Sequence, residues 1–214
     1  MNNLKKEEKM KIYLFLALSA FLVATASVSA QETGKAFLLD DFEGPIVAGQ
    51  TIDAGAGNGS AVTVSADADV KRAGAQSLKI DYDAVSGGTL WIARGYGLDV
   101  KGAALWTAEP EKIDWLSYGA VSFYLKGSGS GAQMAFDIKD AGGEIFRFMV
   151  KDDARDWKQV VCPFDQFFPR GDWQPPAADK NGELDFPVKS FGFEPIAIAK
   201  GMVHIDEVSL EPLN

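Results

Sequence analysis

Two seven-residue runs separated by a turn rich in glycine and serine limit what this chain can become. Ala120 to Lys126 puts Val121, Phe123 and Leu125 on one side and Ser122, Tyr124 and Lys126 on the other. After Gly127-Ser128-Gly129-Ser130-Gly131, the run Gln133 to Lys139 repeats the pattern. Here Met134, Phe136 and Ile138 alternate with Gln133, Ala135, Asp137 and Lys139. A period of two is that of a β-strand with one buried face, whereas a helix would scatter these apolar residues around its circumference. A glycine-rich connection of this length joins antiparallel neighbours.

The same signal recurs along the chain. Ala36 to Glu43, Ala61 to Ala66, Ser77 to Tyr82, Thr89 to Arg94, Glu144 to Val150, Trp157 to Cys162, Gly192 to Ile196 and Met202 to Leu210 all read as strands. In Thr89 to Arg94, Trp91 falls on the face opposite Leu90 and Ile92. In Glu144 to Val150, Arg147 shares a face with Ile145 and Met149, where it needs a partner. Gly55 to Ser60 reads as a flexible loop, and Gly95 to Tyr118 as irregular with one helical turn near Glu109 to Leu116. About ten short strands, punctuated by Gly and Pro with almost no helix, predict an all-β fold. The expected form is a single antiparallel β-sandwich of jelly-roll type over 37–214.

The first thirty residues follow another logic. Met10-Lys11 precedes an apolar run from Ile12 to Ala24 that ends in Ser27-Val28-Ser29-Ala30. That run is too short to span a bilayer, and small residues before a cut describe a secretory signal peptide over 1–30. A short linker, 31–36, follows, and Met10 is an alternative start to Met1. The expectation is a secreted or periplasmic protein with no membrane span. A net charge of −9 gives no electrostatic reason to seek nucleic acid or anionic lipid. The single cysteine, Cys162, cannot form an internal disulfide and reads as a small buried apolar residue.

Function concentrates in the one long stretch without periodicity, Pro163 to Pro187. Within it, Arg170-Gly171-Asp172-Trp173-Gln174-Pro175-Pro176 gathers a cation, a carboxylate and an indole, followed by two prolines. The prolines make a stiff, extended strip that holds Trp173 in place. An indole flanked by Arg and Asp suits a sugar ring, with stacking on C–H surfaces and bidentate hydrogen bonds to hydroxyls. A plug at the end of the sandwich is the competing role for Trp173. Trp91, Tyr96, Trp106, Trp115, Tyr118 and Tyr124 are further platform candidates, while Trp157 opens a core-like strand. Tyr124, Asp137 and Lys139 alternate away from the apolar face and are placed to line a concave sheet.

Enzymatic readings find little. His204, the only histidine, lies opposite Val203 and Ile205 in a closing strand, and no catalytic triad or zinc spacing can be assembled. Asp172 with Asp137 or Glu144 would make a hydrolytic carboxylate pair, but nothing selects it. Asp41 and Glu43 share a strand face, and Asp206 comes from the terminal strand that usually pairs with the first. With carbonyls from Lys71 to Gly74, these acids could cage calcium.

Several strings resemble one family, the family 11 carbohydrate-binding modules. Leu39-Asp40-Asp41-Phe42-Glu43-Gly44 resembles its opening, and Trp157-Lys158 through Pro163-Phe164 and Phe167 resembles its middle run. Asp172-Trp173-Gln174-Pro175-Pro176, with Asp179, Gly182, Leu184 and Asp185 downstream, is similar to its Asp-Tyr-Gln-Pro-Pro signature. Gly201 to Leu210 with Asp206 is similar to its closing strand. The resemblance implies a calcium-supported jelly roll whose cleft binds β-glucan chains. It places Arg170, Asp172 and Trp173 on the family's ligand contacts. The cleft tyrosine beside Trp91 is Leu90 here. The combined expectation is non-catalytic polysaccharide or oligosaccharide binding by Arg170, Asp172, Trp173, Trp91, Tyr124 and Asp137. Asp41, Glu43 and Asp206 would hold a structural calcium, and a separate glycoside hydrolase could be a partner. An exported scaffold or assembly protein using the same fold to bind a protein partner is the alternative.

Overall fold

Phe136 and Phe123 meet at the centre of the molecule, their ring centroids 4.8 Å apart, and every sheet is built around that contact. The computed structural model describes residues 34–196 and 199–213, so the expected signal peptide over 1–30 lies outside the described residues. Among the described residues twelve strands form two six-stranded sheets, and every strand pairing in them is antiparallel.

The first sheet holds β1 (Phe37–Asp40), β3 (Ala61–Asp67), β4 (Ser77–Ala84), β6 (Tyr118–Lys126), β9 (Lys158–Pro163) and β12 (Ala199–Pro212). Its order is β3-β4-β12-β6-β9, with β1 pairing along the far end of β12. β12 is the long central strand: Val203, Ile205, Val208 and Leu210 are all buried along it. The second sheet runs β10 (Phe168–Pro169), β8 (Ile145–Lys151), β7 (Gln133–Lys139), β11 (Ser190–Pro195), β5 (Thr89–Gly95) and β2 (Asp53–Gly57).

Alternation decided which face of each strand is buried. Met134, Phe136 and Ile138 face inward from β7, and Phe191 and Phe193 from β11, to meet Phe123 and Leu125 of β6. Truncating a ring such as Phe123, which is fully buried, would cost about 3–5 kcal/mol through lost burial and the cavity left behind. Helical structure is confined to single 3₁₀ turns, three of them within 101–117, where one helical turn was expected. Trp106, Trp115 and Tyr118 from that segment are buried in the core. Cys162 is buried and free, and burial pushes its thiol well above the usual cysteine range.

Two local expectations are corrected. Gly55 to Ser60 is not simply a loop, because Asp53–Gly57 pairs with β5 as the edge strand β2. Its small residues carry no apolar alternation, and their smallness has a use described below. Trp157 is only partly buried and lies outside the core, its ring meeting the edge of His204 at 6.5 Å. His204 is buried, with Nε2 3.0 Å from Asp67 Oδ2. One cross-layer contact was not foreseen. Arg94 points inward from β5 to Asp40 of β1, Nε to Oδ2 3.1 Å, at 1% and 2% side-chain exposure. The approach is an ion contact but not an aligned hydrogen bond, which leaves those two atoms and Arg94 Nη1 without hydrogen-bond partners among the described residues.

Candidate functional site

The outward positions of the second sheet form one continuous row across five strands. Strand register sets Ala93 of β5 opposite Gly192, Gly192 opposite Asp137, Asp137 opposite Arg147, and Arg147 opposite Phe168 of β10. Residues directly opposite in neighbouring strands share a face, so their side chains meet. Three acids and two arginines gather there, in and beside that row.

Arg147 makes a two-pronged pair with Asp137, Nε to Oδ1 and Nη2 to Oδ2, both 2.8 Å. Its Nη2 also donates to Glu194 Oε2 at 2.7 Å. Arg170 makes the same kind of pair with Asp172, at 2.9 and 2.8 Å. The Arg170 Nη1 group reaches Glu194 Oε2 at 2.8 Å and Asp137 Oδ2 at 3.3 Å. Asp137 and Glu194 therefore each bridge both guanidinium groups. Planar forks on carboxylates fix orientation as well as charge.

Each ionisation follows from these contacts. Burial pushes Glu194 up from the usual glutamate range, opposed by Arg170 and Arg147. Its hydrogen bonds to Arg170 hold Asp172 below the usual aspartate range, against a smaller push from burial. Burial alone would lower Arg147, but Asp137 and Glu194 more than reverse that, and the guanidinium stays charged. Asp172 is the open end of the network at 60% side-chain exposure, and Arg147 Nη1 reaches it only as a 3.7 Å ion contact. Carboxylate oxygens there can accept from hydroxyl groups of a ligand.

Aromatic surface flanks the charges. Trp173 is exposed beside the Arg170 guanidinium, 5.8 Å from ring centroid to Cζ. On β5, Trp91 projects outward and donates from Nε1 to Asp53 Oδ1 at 2.9 Å. Its ring lies on β2 at Gly55, where an added Cβ would come within 2.3 Å of the indole. Glycine there lets the ring lie flat with one face open to solvent. Lys139, outward on β7, donates to the Gly97 carbonyl at the Trp91 side of the row. The Arg170 to Trp173 loop is fastened to β8 by Gln174, whose side-chain amide bonds the Ile145 backbone.

The structure thus brings together Arg170, Asp172, Trp173 and Asp137, with Trp91 on the same face. Tyr124 is elsewhere. It projects outward from β6 in the first sheet, where the Arg72 guanidinium covers its ring at 4.6 Å. Alternation told outward from inward but not one sheet from the other. Arg147, Glu194, Gln174 and Phe168 belong to this face and were not among the expected ligand contacts. Arg147 carried a signal, a cation needing a partner on an apolar strand, and Glu194 carried another, an acid alternating with Phe191 and Phe193. Asp137 and Asp172 are tied to guanidinium groups, and Glu144 is buried apart from them, accepting from the Gly182 amide at 2.9 Å.

The expected calcium ligands meet a different partner. Asp206 Oδ2 accepts from the Arg72 and Ala73 amides, at 2.8 and 3.3 Å, and Oδ1 from the Glu207 amide at 2.9 Å. Glu43 Oε1 accepts from the amides of Ala75 and Gln76, and Asp41 Oδ1 from that of Glu43. Calcium needs six to eight converging oxygens. Here the loop offers its N–H groups to the same carboxylates. Among the described residues no three acidic, His or Cys side chains form a metal-holding group, and the Asp206 and Glu43 carboxylates accept from loop amides instead.

Comparison with known proteins agrees with this geometry. Residues 24–211 match the sequence model of a family described as carbohydrate binding domain (family 11). No curated protein sequence matches the chain. Among solved structures, a family 11 carbohydrate-binding module from Clostridium thermocellum, in complex with a β-1,3-1,4-mixed-linked tetrasaccharide, is 23% identical with a TM-score of 0.66. That match covers 85% of this chain and 98% of the other. The family 11 module of a cellulosomal cellulase of Clostridium thermocellum is 21% identical, TM-score 0.64, over 84% of this chain and 96% of that one. A β-1,2-glucanase from Parabacteroides distasonis shares the fold at 13% identity and a TM-score of 0.55, over 86% of this chain but 26% of its own. At these identities the structural likeness carries the fold alone.

Proposed function

Because the chain belongs to the family 11 carbohydrate-binding domains, we propose that it binds a β-glucan-type polysaccharide, without catalysis, on the outward face of the second sheet. The observation that carries this reading is the row itself. Indole faces at Trp91 and Trp173 stand on either side of a network in which two arginines hold three carboxylates in fixed positions. Stacking on C–H surfaces and acceptance from hydroxyls are the two things a sugar ring needs. A fixed network orders no further side chains on binding, which limits the entropic cost of association. The network carries one net negative charge on an acidic chain, which favours uncharged glycans over acidic ones.

An exported setting fits the proposal. A leader over 1–30 would deliver the domain to polymers outside the cytoplasm, and no helix among the described residues is long and apolar enough to cross a membrane. A glycoside hydrolase is then the natural partner, with the domain holding substrate near it.

Affinity electrophoresis on a panel of soluble polysaccharides tests the proposal. Retardation on β-1,3-1,4-glucan or another neutral β-glucan, relieved by free oligosaccharide, is expected. Uniform migration across the panel overturns it in favour of a scaffold that binds protein.

A further inference from the structure

We propose that Phe168 forms the far end of the binding face, a stacking subsite that lengthens the groove to the full span from Trp91 to the β10 edge. The inference rests on the carbohydrate-binding reading and adds a position to it. Phe167 and Phe168 are neighbours with opposite fates. Phe167 turns inward and packs against Phe136 and Phe148 at 6.2 and 5.6 Å, while Phe168 stands outward at 46% exposure. Phe168 takes no part in the ring contacts of the core among the described residues. It pairs directly with Arg147, so it ends the same outward row as Asp137. Met149, also outward on β8 and exposed, adds apolar surface beside it.

An exposed phenylalanine on a two-residue edge strand contributes little to folding. Beside a fixed hydrogen-bonding network it adds a second flat apolar surface, at the β10 edge. From Ala93 on β5, two residues from Trp91, the row crosses β11, β7 and β8 to reach β10. Four inter-strand spacings amount to about 19 Å. A linear glycan lying across the strands would stack on Trp91 at one end and Phe168 at the other, with its middle hydroxyls over Asp137, Asp172 and Glu194. The occupant is thus a chain of several sugar units.

A ladder of β-1,3-1,4-gluco-oligosaccharides, from disaccharide to hexasaccharide, titrated into the protein by calorimetry decides the matter. Wild-type affinity should rise with chain length until the span is covered and then level off. In Phe168→Ala the longest ligands should bind about tenfold more weakly while the shortest are unaffected, and Phe168→Tyr should restore the wild-type ladder. A Phe168→Ala ladder that matches wild type, or falls equally at every length, overturns the subsite while leaving the carbohydrate reading intact. A wild-type protein that binds no member of this ladder, nor of a ladder cut from any other neutral β-glucan of the panel, overturns both.

Discussion

Gln174 completes both hydrogen bonds of a peptide group with Ile145: its Nε2 donates to the Ile145 carbonyl and its Oε1 accepts from the Ile145 amide, each at 2.8 Å. Nε2 also donates to the Arg170 carbonyl at 3.0 Å. β10 is only two residues long, and beyond it the side chain joins the Arg170 amide, which donates to the same Ile145 carbonyl at 2.8 Å. Gln174→Leu keeps the size and removes all three bonds. It should lower stability by about 1–3 kcal/mol and weaken glycan binding further, because Arg170 and Trp173 hang from the loop it fastens. A melt and a titration matching wild type would show that the loop is held without Gln174.

Trp173 separates platform from plug. At 54% exposure it has little to lose on truncation, so Trp173→Ala should stay within about 0.5 kcal/mol of wild-type stability. Binding should weaken by roughly ten- to a hundredfold, as for other exposed aromatic anchors. Loss of stability with binding retained by the folded fraction would sink the site.

Arg147 should behave in the opposite way. Its side chain is 10% exposed and its removal leaves Asp137, Asp172 and Glu194 around a single cation. Breaking a buried ion pair costs about 3–5 kcal/mol, and Arg170, which still reaches all three acids, reduces this to about 2–4 kcal/mol for Arg147→Met. Adding Glu194→Gln should recover part of that loss. Urea denaturation of the single and double variants measures both, and a double variant weaker than the single would refute the bridging role.

Acid should act in part through Asp152, which is buried at the base of the Ser128 to Ser130 turn. Burial pushes its carboxyl up, but the Ser130 and Ser128 hydroxyls and the amides of residues 128–130 outweigh this and hold it below the usual 3.8. A depressed folded-state value stabilises above the unfolded value and is lost as pH falls through the folded one. Wild type should therefore lose stability steeply below about pH 4. Asp152→Asn should be less stable at neutral pH, with the gap closing in acid. A gap independent of pH would assign the effect to shape alone.

Calcium is decided by melting with and without chelator. Loop amides occupy the Asp206 and Glu43 carboxylates, so excess EDTA or added calcium should move the melting temperature by less than about 1 °C. A drop of several degrees with EDTA, reversed by calcium, would restore the ion.

Much of the fold was legible because alternation is strictly local. Leu90 and Ile92 go inward and Trp91 outward whatever sheet β5 joins, and the same holds for Phe191, Gly192 and Phe193. β2 was missed for the converse reason: Asp53–Gly57 has no apolar alternation, and its glycine serves the ring of Trp91 from a neighbouring strand. The loop from Arg170 to Pro176 stood out because a cation, an acid, an indole and two prolines occur together, and the structure places three of those side chains on one face.

By itself the sequence determined which way each strand faces, that Arg147 needed acidic company, and that residues 170–176 gather a cation, an acid and an indole in one short loop. Those properties depend on neighbours two to four positions away along the chain. Only the tertiary structure decided that Asp137 and not Tyr124 stands beside Arg170, that Glu194 crosses 47 residues to meet Arg147, and that loop amides meet the Asp206 and Glu43 carboxylates. Sheet membership and register are set by pairing between distant segments, and a two-residue repeat reads the same in either sheet.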